Sequence, residues 1–202
     1  PQLRICACRA LRHEEHRILE HAHKLASDPS PFVRREVALA MRYLPFETSQ
    51  DILLEIADRY DGKDRYYLEA FGIGCTDKEA KTYQVLKKRR QGSGYDPVYS
   101  GLVWRLHPAS SIRELKEWAL DDKLSEDSIR RSMLFALSLI DAPQAAQAMV
   151  EVARSGTDQT ASLARVFIDK RDQGIWNTYK AKDILNGKKA KETAYIDRLA
   201  PT

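Results

Sequence analysis

Apolar residues recur along this chain with the 3.6-residue period of a helix, and no stretch alternates convincingly with the two-residue period of a strand. Between residues 32 and 44, Val33, Val37, Ala40, Met41 and Leu44 fall on one face, which predicts an amphipathic helix of about three turns. Asp28-Pro29-Ser30-Pro31 precedes it with turn formers and a capping Asp or Ser. Ile129, Met133, Ala136, Leu137 and Ile140 repeat the spacing, and Val33-Arg34-Arg35 matches Ile129-Arg130-Arg131. These segments begin 96 residues apart, three times 32. Intermediate copies then begin at Tyr66, after Asp61-Gly62-Lys63-Asp64, and at Val98, after Tyr95-Asp96-Pro97. A fifth begins at Leu163, after Gly156-Thr157-Asp158. Further helices are predicted between the copies, over 14–27, 50–60, 79–90, 112–120 and 145–154.

Each repeat is therefore a helix, a short turn and a second helix. Such a pair cannot bury its apolar face alone and must stack on its neighbours, which predicts an all-α fold, an α-solenoid of about five helix pairs. The hallmark residues of tetratricopeptide and ankyrin repeats are absent. Asp28-Pro29 followed by Val33-Arg34 resembles the second-helix signature of HEAT repeats, here of a short kind with about 32 residues. That resemblance implies a right-handed superhelix and makes Asp28, Val33, Arg34, Ile129 and Arg130 structural repeat positions. Asp28 and Arg34 are expected to bond, carboxylate to guanidinium, within or between repeats. One solenoid is expected over residues 1–187, with 188–202, rich in Lys188, Lys189 and Lys191, as a basic C-terminal tail or linker. Gly72-Ile73-Gly74 stands inside a helical pattern, so its small residues serve close helix approach rather than a dinucleotide.

Composition adds limits rather than chemistry. The 202 residues are 43% hydrophobic and 31% charged, the proportions of a folded globular chain. A net charge of +4 is too modest to imply nucleic acid. No run approaches the roughly 20 apolar residues needed to span a bilayer. The chain opens at Pro1 and reads as a processed or excised piece of a longer polypeptide. Its three cysteines make no disulfide framework: Cys6 and Cys8 point to opposite sides of a helix, and Cys75 is expected as a small buried hydrophobe.

Catalytic and cofactor constellations are not found, and neither is a metal motif. His13-Glu14-Glu15-His16 spaces its histidines three apart rather than four, so it is not HExxH, although His13, His16 and Glu20 are candidate zinc ligands on one helix face. A solvated polar face is the competing reading. Lys87, Lys88, Arg89 and Arg90 form the strongest charge run, read as a helix C-terminus favouring its dipole, with an acidic partner or phosphate backbone as the rival. Tyr66, Tyr67, Trp104 and Trp118 are expected to fill gaps between helices, Trp104 being the most exposed, with Trp104 and Arg105 as candidate contact residues. The first helix, 2–12, is apolar almost all round, so an edge carrying Leu3 and Leu11 is expected to dock on a preceding domain or on a second copy.

Two phrases carry a family resemblance. Tyr60-Asp61-Gly62-Lys63-Asp64-Arg65-Tyr66-Tyr67-Leu68-Glu69-Ala70-Phe71-Gly72 and Ser100-Gly101-Leu102-Val103-Trp104-Arg105-Leu106-His107-Pro108 resemble the helical-repeat segment of large exported bacterial proteins. Those proteins join a sugar-dehydrogenase-type β-propeller, a HEAT-like solenoid and a c-type cytochrome domain. The resemblance covers roughly residues 12–180 and implies a periplasmic setting within a parent redox protein. This chain has neither a CxxCH haem motif nor a propeller, so the resemblance implies no activity for it. A non-enzymatic scaffold binding protein without a cofactor is the leading expectation. The alternative is a nucleic-acid binding HEAT-like solenoid, the alkylpurine DNA glycosylase type included.

Overall fold

Turn chemistry at the repeat boundaries decides where the helices begin. In a computed structural model that describes residues 1–90, 94–124 and 127–187, Asp64, Asp96 and Thr157 each accept a hydrogen bond from a backbone N–H three residues on. Pro31, Pro97 and Pro143 occupy the first helical turn, where a missing N–H costs nothing. The described residues form twelve α-helices and no strand. They are α1 (Gln2–Leu11), α2 (Glu15–Ala26), α3 (Pro31–Ala40), α4 (Phe46–Asp58), α5 (Arg65–Gly74) and α6 (Glu79–Arg89). Then come α7 (Pro97–Leu106), α8 (Ile112–Ala119), α9 (Asp127–Leu139), α10 (Pro143–Ser155), α11 (Asp158–Asp172) and the short α12 (Ala181–Leu185). Helix α4 starts four residues before its apolar pattern, because Pro45 supplies the cap and the Ser49 hydroxyl donates back to the Pro45 carbonyl at 2.8 Å. The expected tail 188–202 lies outside the described residues.

The chain divides into two compact units, Pro1–Pro108 and Ala109–Thr202. Within the first, α1, α3, α5 and α7 pack in succession as one layer, and α2, α4 and α6 as the other. Within the second, α9 packs on α11, while α10 packs on α8 and α12. The pairs α2–α3, α4–α5, α6–α7, α8–α9 and α10–α11 are the five predicted repeats. Val33, Val37, Ala40 and Met41 are fully buried, as their spacing predicts. Ile129, expected to match Val33, is only half-buried. Helix α3 is flanked by α1 and α5, whereas α9 has α11 alone in its layer of its unit.

Gly74 is required by close approach. A Cβ there would stand 2.3 Å from the Ala38 carbonyl oxygen of α3, a backbone atom that cannot swing aside. Cys75 beside it is buried, and burial pushes its thiol up to about 12. Cys8 is buried as well, while Cys6 is exposed on the opposite side of α1.

Lys78 ties the third pair to the first. Only 6% exposed, it donates to the carbonyls of Met41 (2.9 Å), Arg42 (3.3 Å) and Leu44 (3.0 Å), where α3 runs out through the 3-10 turn Met41–Tyr43. Three ammonium protons meet three carbonyls in and just past the turn that ends α3. Burial draws the Lys78 pKa below the usual lysine value.

Two stability outcomes are expected. Lys78→Met should cost about 2–4 kcal/mol, because buried carbonyls lose charge-assisted partners while side-chain volume is kept. Gly74→Ala should destabilise by about 1–3 kcal/mol, reversing the gain of about 1 kcal/mol that alanine brings to an open helix interior. Urea unfolding of each variant reads both; an unchanged midpoint for Lys78→Met would mean the ammonium ties are energetically empty.

Candidate interaction surface

The outward side of the α1–α3–α5–α7 layer is built from arginines, aromatics and a few carboxylates. Its innermost part is a relay across helix pairs. Arg4 of α1 meets the Asp28 carboxylate at 2.7 Å, and the Ser30 N–H donates to the same group at 2.9 Å. Arg34 of α3 donates through Nη1 to the Asp28 backbone carbonyl at 2.6 Å and through Nε to the Tyr67 hydroxyl at 3.1 Å. That hydroxyl donates to the Ile56 carbonyl at the end of α4, at 2.7 Å. The expected carboxylate–guanidinium bond between Asp28 and Arg34 is thus corrected: Arg34 takes the main-chain oxygen of Asp28, and the carboxylate goes to Arg4. The Asp28 carboxylate is already held by Arg4 and the Ser30 N–H, and its carbonyl, just past the end of α2, is the oxygen within reach of Arg34. Arg130 repeats the arrangement in the second unit, donating to the Asp121 carbonyl beyond α8 at 3.2 Å.

Electrostatics follow the same geometry. Burial raises the Asp28 carboxyl, but the Ser30 N–H and Arg4 outweigh it and hold it below the ordinary carboxylate value. Burial also pushes the Tyr67 phenol up, with Arg34 pulling partly against it.

Further out, carboxylates are shared between guanidiniums. Buried Glu36 of α3 takes Arg9 of α1 at 2.6 Å and Arg12 at 2.9 Å. Glu69 of α5 takes Arg65 at 2.5 Å and Arg105 of α7 at 2.7 Å. Arg105 reaches it by lying across Gly72, where a Cβ would stand 2.2 Å from its Cζ. Arg65 also covers the ring of half-buried Trp104, 4.2 Å from its centroid. Trp104 and Arg105, singled out from sequence, therefore belong to this face.

Tyr66 does not pack as expected. It is 73% exposed, whereas Tyr67 and Trp118 are buried. Neighbouring positions on a helix differ by about 100°, and Tyr67 takes the inward one. Tyr66 and exposed Phe32 instead flank Arg35, whose Cζ lies 5.3 Å and 5.4 Å from the two ring centroids. The available signal was an aromatic immediately before each first buried position, Phe32 before Val33 and Tyr66 before Tyr67.

Other candidate residues have local uses. Lys87 donates to the Tyr83 hydroxyl at 3.1 Å, Arg89 meets Asp58 at 3.4 Å, and Arg90 lies over the Tyr99 ring; Lys88 is exposed. His13 lies in the turn before α2, its ring 5.4 Å from that of Tyr43, while His16 and Glu20 are exposed on α2. Among the described residues, no three side chains of metal-ligating type are brought together, so His13, His16 and Glu20 form no site there. Leu3 is 87% exposed but Leu11 is half-buried, so the apolar strip of α1 runs through Leu3, Cys6, Ala7 and Ala10 instead. In the second unit an open groove of about 920 Å³ is lined by Ile112, Lys116, Gln147, Glu151 and Tyr179. Lys116 and Glu151 pair across it at 2.7 Å.

Comparison with known proteins adds no relative. No protein-family model matches the chain, and no curated protein matches it. No described helix is long and apolar enough to cross a membrane.

Arg34→Ala should lower stability by about 2–3 kcal/mol, the cost of removing charge-assisted bonds from partly buried acceptors, read as a lowered melting temperature. A second outcome concerns acid. Because the Asp28 pKa is lower folded than unfolded, the ionised group stabilises the fold above the ordinary carboxylate value, and that contribution disappears as pH falls through the folded value. Asp28→Asn should therefore be less stable at pH 7 and lose less on going from about pH 4 to pH 2. Parallel acid limbs for variant and parent would show that Asp28 carries none of the dependence.

Proposed function

We propose that the chain is a non-enzymatic helical-repeat scaffold that binds protein, serving as one domain of a larger exported redox protein. The observation that carries this reading is the outer face of α1. Leu3, Cys6, Ala7 and Ala10 stand three and four apart and are all exposed, while Ile5 and Cys8 on the opposite side are buried under α2 and α3. A continuous apolar strip of this kind is covered in its working state, by a neighbouring domain or by a second copy.

The reactive side chains fit the same reading. A thiol at about 12 is no nucleophile at neutral pH, and the Lys78 ammonium is occupied by three carbonyls. A phosphate-binding role would draw on the run from Lys87 to Arg90, and three of those four side chains rest on Tyr83, Asp58 and Tyr99. This favours protein over nucleic acid as the partner. The family resemblance supplies the periplasmic setting and the redox parent.

Cys6 is a built-in reporter of the strip. When the chain is freed of any partner, its apparent mass by light scattering should rise with concentration, and maleimide labelling of Cys6 should slow in step. The Leu3→Glu, Ala7→Glu double variant should stay monomeric at an unchanged melting temperature. A chain that stays monomeric throughout, with Cys6 labelling independent of concentration and the variant equally soluble, would overturn the docking role of α1.

A further inference from the structure

Arg35 differs from every other arginine on its layer. Arg4, Arg9, Arg65 and Arg105 are held by carboxylates, and Arg34 by the Asp28 carbonyl and the Tyr67 hydroxyl. Arg35 makes no hydrogen bond or ion pair with any described residue. It lies instead between the rings of Phe32 and Tyr66, from two successive pairs. Those rings are 58% and 73% exposed.

The result is a guanidinium whose stem is positioned in advance and whose five donors are unspent. Holding an arginine between aromatic faces removes much of the side-chain entropy that a free surface arginine loses on binding. A planar fork of this kind matches a carboxylate with two parallel bonds. Exposed aromatic rings beside it provide apolar area around the charge, and tyrosine and arginine are both enriched among the residues that carry most interface energy.

Charge points the same way. Of seven arginines here (Arg4, Arg9, Arg12, Arg34, Arg35, Arg65 and Arg105), five pair with three carboxylates, Asp28, Glu36 and Glu69, while Arg34 and Arg35 pair with none. The arginines outnumber these carboxylates, and Arg35 alone among them has its fork unspent, a single site rather than a track of several. A track would suit successive phosphates of a nucleic acid; a single fork suits one carboxylate.

We propose that Phe32, Arg35 and Tyr66 form a recognition site for an acidic segment of a partner protein. One Asp or Glu carboxylate pairs with Arg35, and apolar neighbours in that segment rest on the two rings. The inference rests on the protein-binding reading above, but it names a different surface from the α1 strip.

A random peptide library displayed on phage and selected on the full chain provides the probe. The recovered peptides should carry Asp or Glu beside apolar residues. Changing that acid to its amide should weaken binding at least tenfold in fluorescence anisotropy, as should Arg35→Gln at an unaltered melting temperature. Arg35→Lys should recover little, since an ammonium cannot make the two parallel bonds. Recovery of no peptides, of peptides lacking an acid, or of peptides that bind Arg35→Gln as tightly would overturn the proposal. In those cases Cys6 labelling still reports independently on the α1 strip and on the scaffold reading. Arg35-dependent binding of a roughly 20-nucleotide oligo-dT, with no acidic peptide recovered, would overturn it in favour of single-stranded nucleic acid.

Discussion

The last turn of an α-helix leaves its carbonyls without partners, and this chain is organised around supplying them. In each of four pairs, a long polar side chain of the second helix returns to a carbonyl in the last turn of the first or just beyond it. Arg34 closes α2 at Asp28, Tyr67 closes α4 at Ile56, Arg130 closes α8 at Asp121, and Arg165 closes α10 at Ala153. Arg34, Tyr67 and Arg130 stand at one repeat position; in α11 the same task falls to Arg165, about one turn deeper. The turn between paired helices is thereby held.

A second set of ties joins one pair to another. Lys78 gathers three carbonyls at the end of α3, and the indole of buried Trp176 donates to the Ile140 carbonyl just past α9, at 2.9 Å. Shared carboxylates do the same for side chains. Glu36 would be costly to bury as an isolated charge, and Arg9 of α1 with Arg12 just past it offsets that cost. Arginine suits these sites better than lysine because one planar group can serve two acceptors, as Arg34 does.

How much of this was legible in the sequence differs by level. Helix existence was plain, because the apolar period of 3.6 and capping turns such as Asp64 and Asp96 agree with one another. The repeat position of Arg34 was visible too, but its acceptor was not. A carboxylate and a main-chain carbonyl of the same Asp28 are indistinguishable by spacing, and only the path of the chain after α2 decides. Lys78 reads as one more cation ahead of a basic run, and its flexible stem hides that it turns inward. Trp176, in the turns after α11, follows no helical period at all. Tyr66 and Tyr67 are adjacent letters of the same kind, and a rotation of about 100° sends Tyr67 to the core and Tyr66 to the exposed face.

The Tyr67 hydroxyl carries one further consequence. It accepts from Arg34 of the pair before and donates to Ile56 of its own pair, so a single oxygen belongs to both. In a one-dimensional nearest-neighbour description of repeat folding, such an atom contributes to the coupling between repeats rather than to the intrinsic energy of either. If α4–α5 melts, α2–α3 loses the group that anchors its closing arginine; if α2–α3 melts, the phenol loses its donor. Opening either pair therefore costs the other one of its bonds, and this oxygen adds to the coupling between α2–α3 and α4–α5.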